Sequence, residues 1–222
     1  MRDRIGRAQC GQDNWVLKKL GNKRNGYFLE AGAYDGVKNS NTYRLEKEYG
    51  WNGICVEPSR AYAALVRNRN CICENICIYC SEGVVKFLDR SGRHVGKQSS
   101  VIYDDESTSD VIDRVSNNLH WLVDVPATTL GHLLQKHNAP SIIDYFSLDV
   151  EGSEYQILRC IDFNAYTFLT LTIEHNVWGR ADDGPIQIKN RQNIYELLTS
   201  RNYIRQNEKA PNEDWYCHES VK

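Results

Sequence analysis

The stretch GYFLEAGAYDGVKNSNT, residues 26–42, decides how the rest of the chain is read. Its apolar run Tyr27-Phe28-Leu29 reads as a strand that ends on a carboxylate, Glu30, with glycines following at 32 and 36. A strand running into such a turn lets a ligand approach the backbone, because glycine has no side chain in the way. In an open doubly wound sheet, ligands collect outside the carboxyl ends of the strands. Glu30-Ala31-Gly32 would lie at such an end. The next strand, GICVEP at 53–58, ends on Glu57, about the distance downstream at which an acid holds the hydroxyl pair of a ribose.

Glu57 does not separate the nicotinamide cofactors from S-adenosylmethionine, since each presents a ribose. The first loop does. A dinucleotide loop must receive a doubly negative pyrophosphate on bare backbone amides. Here Gly32 and Gly36 do not make GxGxxG, and Glu30 and Asp35 would repel phosphate. S-adenosylmethionine carries a sulfonium and an ammonium group instead, and carboxylates suit those charges.

Working outward, 222 residues are most simply one domain with a sizeable core. Within it, 1–24 read as an N-terminal helical segment and 89–120 as a lid or insertion. With 27 basic against 29 acidic side chains, nothing points to nucleic acid as a partner. No apolar stretch approaches the ~20 residues that span a bilayer. The start, MRDRIGRAQCG, has no apolar core of the signal-peptide type, so a soluble, cytoplasmic protein is expected. Four of the eight cysteines crowd into CICENICIYC, Cys71 to Cys80. The stretch is dense and alternating, unlike two spaced metal-binding pairs, and reads as a strand with small buried thiols. The other cysteines are scattered, as in a reduced compartment.

Apolar runs alternate with helical patterns, the signature of a parallel sheet with crossover helices. Strands are predicted at 27–31, 53–57, 72–79, 84–88, 121–125, 142–149, 167–174 and 203–207. Ser40 or Asn41 would cap a helix through Tyr49, with Gly50 past its end. Ser59 would cap a second that buries Tyr62, Leu65 and Val66, and Thr128 or Thr129 a third. EGSEYQILRC forms a fourth, and NRQNIYELLTS a late one with Ile194, Leu197 and Leu198 inward. YCSEGVVKFLD has the turn residues of a hairpin. The polar stretch 89–110 is long enough to suggest a lid, and 176–189 could wall the other side of a cleft.

GQDNWVL, YFLEAGAYDGVKNSNTYRLEKEYGWNGICVEP, IDYFSLDVEGSEYQIL and LTIEHN together resemble the FkbM-type methyltransferases, a Rossmann-like class of S-adenosylmethionine enzymes. The resemblance spans roughly residues 9–176. It implies an α/β fold with a mostly parallel seven-stranded sheet, helices on both faces, and O-methyl transfer to hydroxyls of sugars or small natural products. By position it also implies that Glu30, Gly32, Ala33 and Asp35 line the methionine end of the cofactor. Ser40, Asn41 and Thr42 would lie nearby, and Glu57 with Pro58 at the ribose. Asn75 and Ile76 would pass the adenine, and Gln12 and Asp13 would close over the cofactor. Asp13 could equally start a helix through Leu20.

Removing a proton from a weakly acidic sugar hydroxyl calls for a general base or a metal. Two clusters end strands beyond the cofactor: Asp149-Val150-Glu151-Gly152 and Glu174-His175-Asn176. If the chain stays extended, Asp149 and Glu151 share one side, although Glu151 could instead offset the dipole of a helix it begins. His175 is the candidate base by its ordinary pKa. Glu174 would orient it, or bind substrate with Glu151 and Asn176. Asp149, Glu174 and His175 would also suit a hard divalent cation such as Mg. The expected partner is a glycan or small-molecule acceptor. A polyketide-like acceptor and a non-catalytic module that kept the fold are the alternatives, and either a free enzyme or one domain of a larger carbohydrate-modifying protein would fit.

Overall fold

Along β1 (Tyr27–Ala31) every second side chain points the same way, and two cores follow from that alternation. Leu29 and Ala31 enter one apolar cluster, and Phe28 enters another on the opposite face. The computed structural model describes residues 7–89, 100–102, 122–179, 184–208 and 210–221. Most of the segment expected to form a lid lies outside them.

Around β1, the chain runs through α1 (Gln12–Lys19), α2 (Tyr43–Tyr49), β2 (Asn52–Val56), α3 (Tyr62–Asn68), β3 (Ile72–Glu74), β4 (Cys77–Ile78), β5 (Gly83–Leu88) and β6 (Ser100–Ile102). It continues through β7 (Leu122–Thr128), α4 (Leu130–Lys136), β8 (Ile142–Leu148), α5 (Glu154–Leu158), β9 (Thr167–Glu174), α6 (Pro185–Thr199), β10 (Tyr203–Arg205) and β11 (Glu213–His218).

Seven strands form the main sheet in the order β3-β2-β1-β8-β9-β11-β10. The first five are parallel, and β11 lies antiparallel between β9 and β10. The fold is thus α/β with a mostly parallel seven-stranded sheet. It departs from the all-parallel dinucleotide order by this late antiparallel insertion. One face is covered by α1, α2 and α3 through Trp15, Val16, Leu45 and Leu65. The other is covered by α4, α5 and α6 through Leu133, Leu134, Ile157, Leu158, Ile194 and Leu198. Leu29, Ile54 and Phe146 are wholly buried, each contributing roughly 1.5–3 kcal/mol of transfer free energy.

Local signals act largely as their chemistry requires. Thr129 caps α4, accepting from the His132 amide, and Gly50 ends α2 in the left-handed conformation at φ 70°. The Ser40 hydroxyl accepts the Tyr43 amide at 3.1 Å, two residues ahead of the Thr42 N-cap. Val66, expected inside, is exposed, and Leu197 is only half-buried.

Four features differ from the sequence reading. The cysteine-rich strand is broken in two, because the Asn75 amide donates to the carbonyls of Glu57 and Pro58 and turns the chain off the sheet edge. Its second part, β4, joins a separate four-stranded sheet, β4-β7-β5-β6. In that sheet β5 is antiparallel to β7 and β6, so the suspected hairpin partner β4 pairs with β7 instead. Finally, Cys80 and Cys160 form a disulfide, at odds with a wholly reduced set of cysteines. Among the described residues no helix is long and apolar enough to cross a membrane.

Candidate active site

The site begins where β1 ends. Gly32 has φ +86°, and a Cβ there would stand 1.8 Å from the Asp149 carbonyl oxygen, so only glycine lets this loop close against the end of β8. The Gly32 and Ala33 amides both donate to the Val56 carbonyl, tying the loop to β2. Asp35 accepts from the Val37 and Lys38 amides at 2.9 and 2.8 Å, which shapes the following turn. Glu57 accepts from the Tyr34 amide at 2.7 Å and the Ser59 amide at 2.8 Å. Burial pushes its carboxyl up, against the pull of those donors. It therefore sits directly beside the glycine loop, with Pro58 following and Asn75 bonded to its carbonyl. Ile76 is half-buried against the core.

Glu30 has a different setting from its loop neighbours. Its carboxylate accepts from the Ser40 hydroxyl, the Asn41 amide at 2.7 Å and the Thr42 hydroxyl at 2.6 Å. The wholly buried Arg69 guanidinium stands 3.3 Å away. Arg69 also bonds Thr42 Oγ1 and Glu46 at 2.7 Å each. Burial alone would raise the Glu46 carboxyl, but Arg69 and the donors around it outweigh that and hold it at about 2. Glu30 thus anchors the segment carrying Ser40, Asn41 and Thr42, and its own oxygens are already engaged.

A second acidic group lies further along the same face. Asp149 follows β8, Glu174 ends β9, and Glu213 opens β11 directly across from Glu174 in register. Glu151 joins them from the loop. The chain does not stay extended there, since Glu151 has φ +63°, a conformation that costs a non-glycine residue about 1–3 kcal/mol. The bend nevertheless brings donor oxygens of Asp149, Glu151 and Glu174 within 4.8 Å of one another. Asn176 donates to Glu174 at 3.2 Å, and Asn212 does so at 2.5 Å. Glu213 accepts from Gln12 at 2.6 Å and from the Trp215 indole at 2.7 Å.

Among the described residues no lysine or arginine pairs with these buried and half-buried acids. Burial first, then Asp149 and Glu151, drive the Glu174 carboxyl far up, and burial with Asp149 pushes Glu151 up as well. Glu213 is pushed up to about 7, again mainly by burial. Burial pushes the Asp149 carboxyl up as well, against the pull of its contact with Glu174, and that same contact raises Glu174 further. The dipole role considered for Glu151 belongs to Glu154, which accepts from the Val150 and Gly152 amides at 3.0 and 3.1 Å. Burial pushes Glu154 up to about 7.

His175 is not brought into this group. It follows Glu174, so its ring emerges on the α6 face, while Glu174 is on the α1 face. Its Nδ1 accepts the Val177 amide at 3.1 Å, and its Nε2 lies 3.8 Å from Asp214. Burial holds its pKa down at about 4, although Asp214 opposes this. Asp214 is itself gripped by Arg191 through two hydrogen bonds of 2.9 and 2.8 Å. Asp149 and Glu174 thus meet without His175, and the third carboxylate is Glu151. A cation such as Mg would meet an all-oxygen donor set here, as that ion prefers.

Asn212, Glu213, Glu154 and Arg69 were not singled out from sequence. The run Trp215-Tyr216-Cys217, rich in strand formers after a Pro-Asn turn, was the available signal for β11.

A family profile described as "Methyltransferase FkbM domain" matches residues 30–205. No curated protein matches the sequence. Among solved structures, the METTL16 MTase domain aligns with TM-score 0.47 and 11% identity over 94% of this chain, which spans 66% of that one. A putative rRNA-methylase from Clostridium thermocellum aligns with TM-score 0.44 and 10% identity, over 95% of this chain and 96% of that one. The glycopeptide N-methyltransferase MtfA, complexed with S-adenosyl-L-methionine, aligns with TM-score 0.39 and 9% identity, over 97% and 88%.

Proposed function

This chain belongs to the FkbM methyltransferase family, and from that premise we propose that it transfers a methyl group from S-adenosyl-L-methionine to a hydroxyl of a sugar or glycan. One observation carries the reading: Asp149, Glu174 and Glu213 lie side by side at the strand ends next to the Gly32 loop, and the described ion pairs go to other acids, among them Asp13, Glu30, Glu46, Asp89, Asp144 and Asp214. Acids left uncompensated beside a phosphate-hostile loop fit a ligand that brings positive charge.

Bound there, S-adenosylmethionine supplies a methyl carbon made electrophilic by its sulfonium. The chain's part is to hold and to deprotonate. Glu57 would take the ribose hydroxyls, and the Gly32–Asp35 loop would receive the methionine end. Asp149 would be the base, since its contact with Glu174 works against the burial that raises its carboxyl. Glu151 and Asn176 would orient the acceptor. A divalent cation, if the reaction uses one, would be held by Asp149, Glu151 and Glu174 rather than by His175. The acceptor is neutral or cationic, since this pocket would repel a phosphate backbone.

Three measurements test this. Calorimetry should show S-adenosylmethionine binding to the wild type and at least tenfold weaker binding to Glu57→Ala. With free sugars, glycans and polyketide-like alcohols as acceptors, Asp149→Asn should lower methyl transfer about 10²–10⁴-fold, the usual weight of a general base. Absence of cofactor binding in a folded sample would replace the enzyme by a binding module, and transfer to amines alone would remove the hydroxyl acceptor. Loss of turnover in EDTA, restored by Mg, would establish the cation.

A further inference from the structure

Six cysteines outside the disulfide are free, and three of them converge under the Glu30 network. Cys55 on β2 and Cys73 on β3 are register partners. Cys71, just before β3, holds its sulfur 3.6 Å from that of Cys55. Cys55 is in turn 3.7 Å from Glu30 Oε2, and Cys73 is 3.6 Å from the Cys71 carbonyl. Cys55 is buried, whereas Cys71 and Cys73 are half-buried, so a reagent reaching this cluster from solvent meets the latter two. Among the described residues the group able to hold a metal is the carboxylate one, not these thiols.

We propose that Cys71 is a redox-active thiol that forms a reversible disulfide with Cys55 by exchange with a small-molecule disulfide such as oxidised glutathione. In the first step the Cys71 thiolate attacks one sulfur of the reagent, its S–S bond breaks, and one glutathione leaves as thiolate. In the second, Cys55 loses its proton and attacks the Cys71 sulfur, expelling the second glutathione. Two protein thiols are oxidised and one disulfide is reduced to two thiols, so electrons and protons balance.

The surroundings favour Cys71 as the attacking sulfur. Hydrogen bonds from Cys55 and Cys73 and the charge of Arg69 hold its thiol down at about 5, against its burial and the opposing charge of Glu46. Burial pushes Cys55 up, and the bond to Cys71 pushes Cys73 up. An ordinary thiol is only about 0.3% ionised at pH 6, so the thiolate fraction favours Cys71 roughly 300-fold. Its weaker basicity takes back most of that gain, leaving about a tenfold faster exchange. The new bond would join the residue beside Arg69 to the strand beneath Glu30, linking the thiols to the anchor of the Ser40–Thr42 segment.

The experiment incubates the full chain with oxidised glutathione at pH 6, alkylates free thiols, and maps them by digestion and fragment mass spectra. Cys71 should react about ten times faster than the other free cysteines and end in a peptide linked to Cys55. Cys55→Ala should stop at a glutathione adduct on Cys71, and Cys71→Ser, a half-buried change that tests the idea should Cys55→Ala misfold, should abolish both products. Even reaction of all free cysteines, a link that avoids Cys71, or joint protection of the three thiols by added zinc would overturn the proposal.

Discussion

Two groups of buried acids lie on the same face of one sheet and have opposite electrostatic fates. Glu30 and Glu46 share Arg69, whose guanidinium is wholly buried between them. Asp149, Glu174 and Glu213, on strands only one to three places away, share no described lysine or arginine and are driven toward their protonated forms. Residue type is the same in both, and so is depth. The counter-charge makes the first group a structural joint, and under the proposed function the second would receive the positive charge of the cofactor.

Removing the counter-charge tests the first group most severely. Arg69→Met should cost about 3–5 kcal/mol in denaturant unfolding, because it strands two carboxylates. A loss under about 1 kcal/mol would mean that the first group, too, tolerates neutralisation, and the contrast would fail.

Acidity tests both groups at once, with opposite sign. Glu154 and Glu213 have folded values near 7, above the ordinary 4.5. Their contribution to stability is complete below about pH 4.5 and is lost as pH rises through 7. Glu46, held at about 2, contributes fully above 4.5 and loses that only as pH falls through 2. Between pH 5 and 8 stability should therefore fall by an order of 1–3 kcal/mol, and Glu213→Gln should flatten the slope of Tm against pH. Added S-adenosylmethionine should reverse the trend, since its charge favours the ionised carboxylates. A flat profile in the wild type would show that the second group is not strained.

The smallest effect sharpens the comparison further. Glu174→Gln replaces a carboxyl that already holds a proton, so stability should change by less than about 1 kcal/mol. The same substitution at Glu46 should cost visibly more. Equal losses at the two positions would erase the distinction.

Much of this was legible in the chain. The strand-turn pattern at 26–42 placed the glycine loop at the end of β1, and Gly32 proved to be where backbone meets backbone. Asp149, Glu151 and Glu174 were picked out as acids ending strands, and they do converge. His175 was picked out by its ordinary pKa, which says nothing of the face it takes. Glu30 looked like a ligand because its partner Arg69 is a distant residue on no motif. β11 escaped because its central residues are buried on both faces, so no alternation marks it.

By itself the sequence determined the alternation of strands and helices, the glycine loop and the supply of carboxylates, because these depend on neighbours along the chain. Only the tertiary structure decided which acid meets a cation and which does not. Pairing across strands sets that: insertion of β11 against β9 puts Glu213 beside Glu174 on one face, and Asp214 beside His175 on the other. A shift of one residue in that register would exchange the two sets, since side chains alternate across a strand.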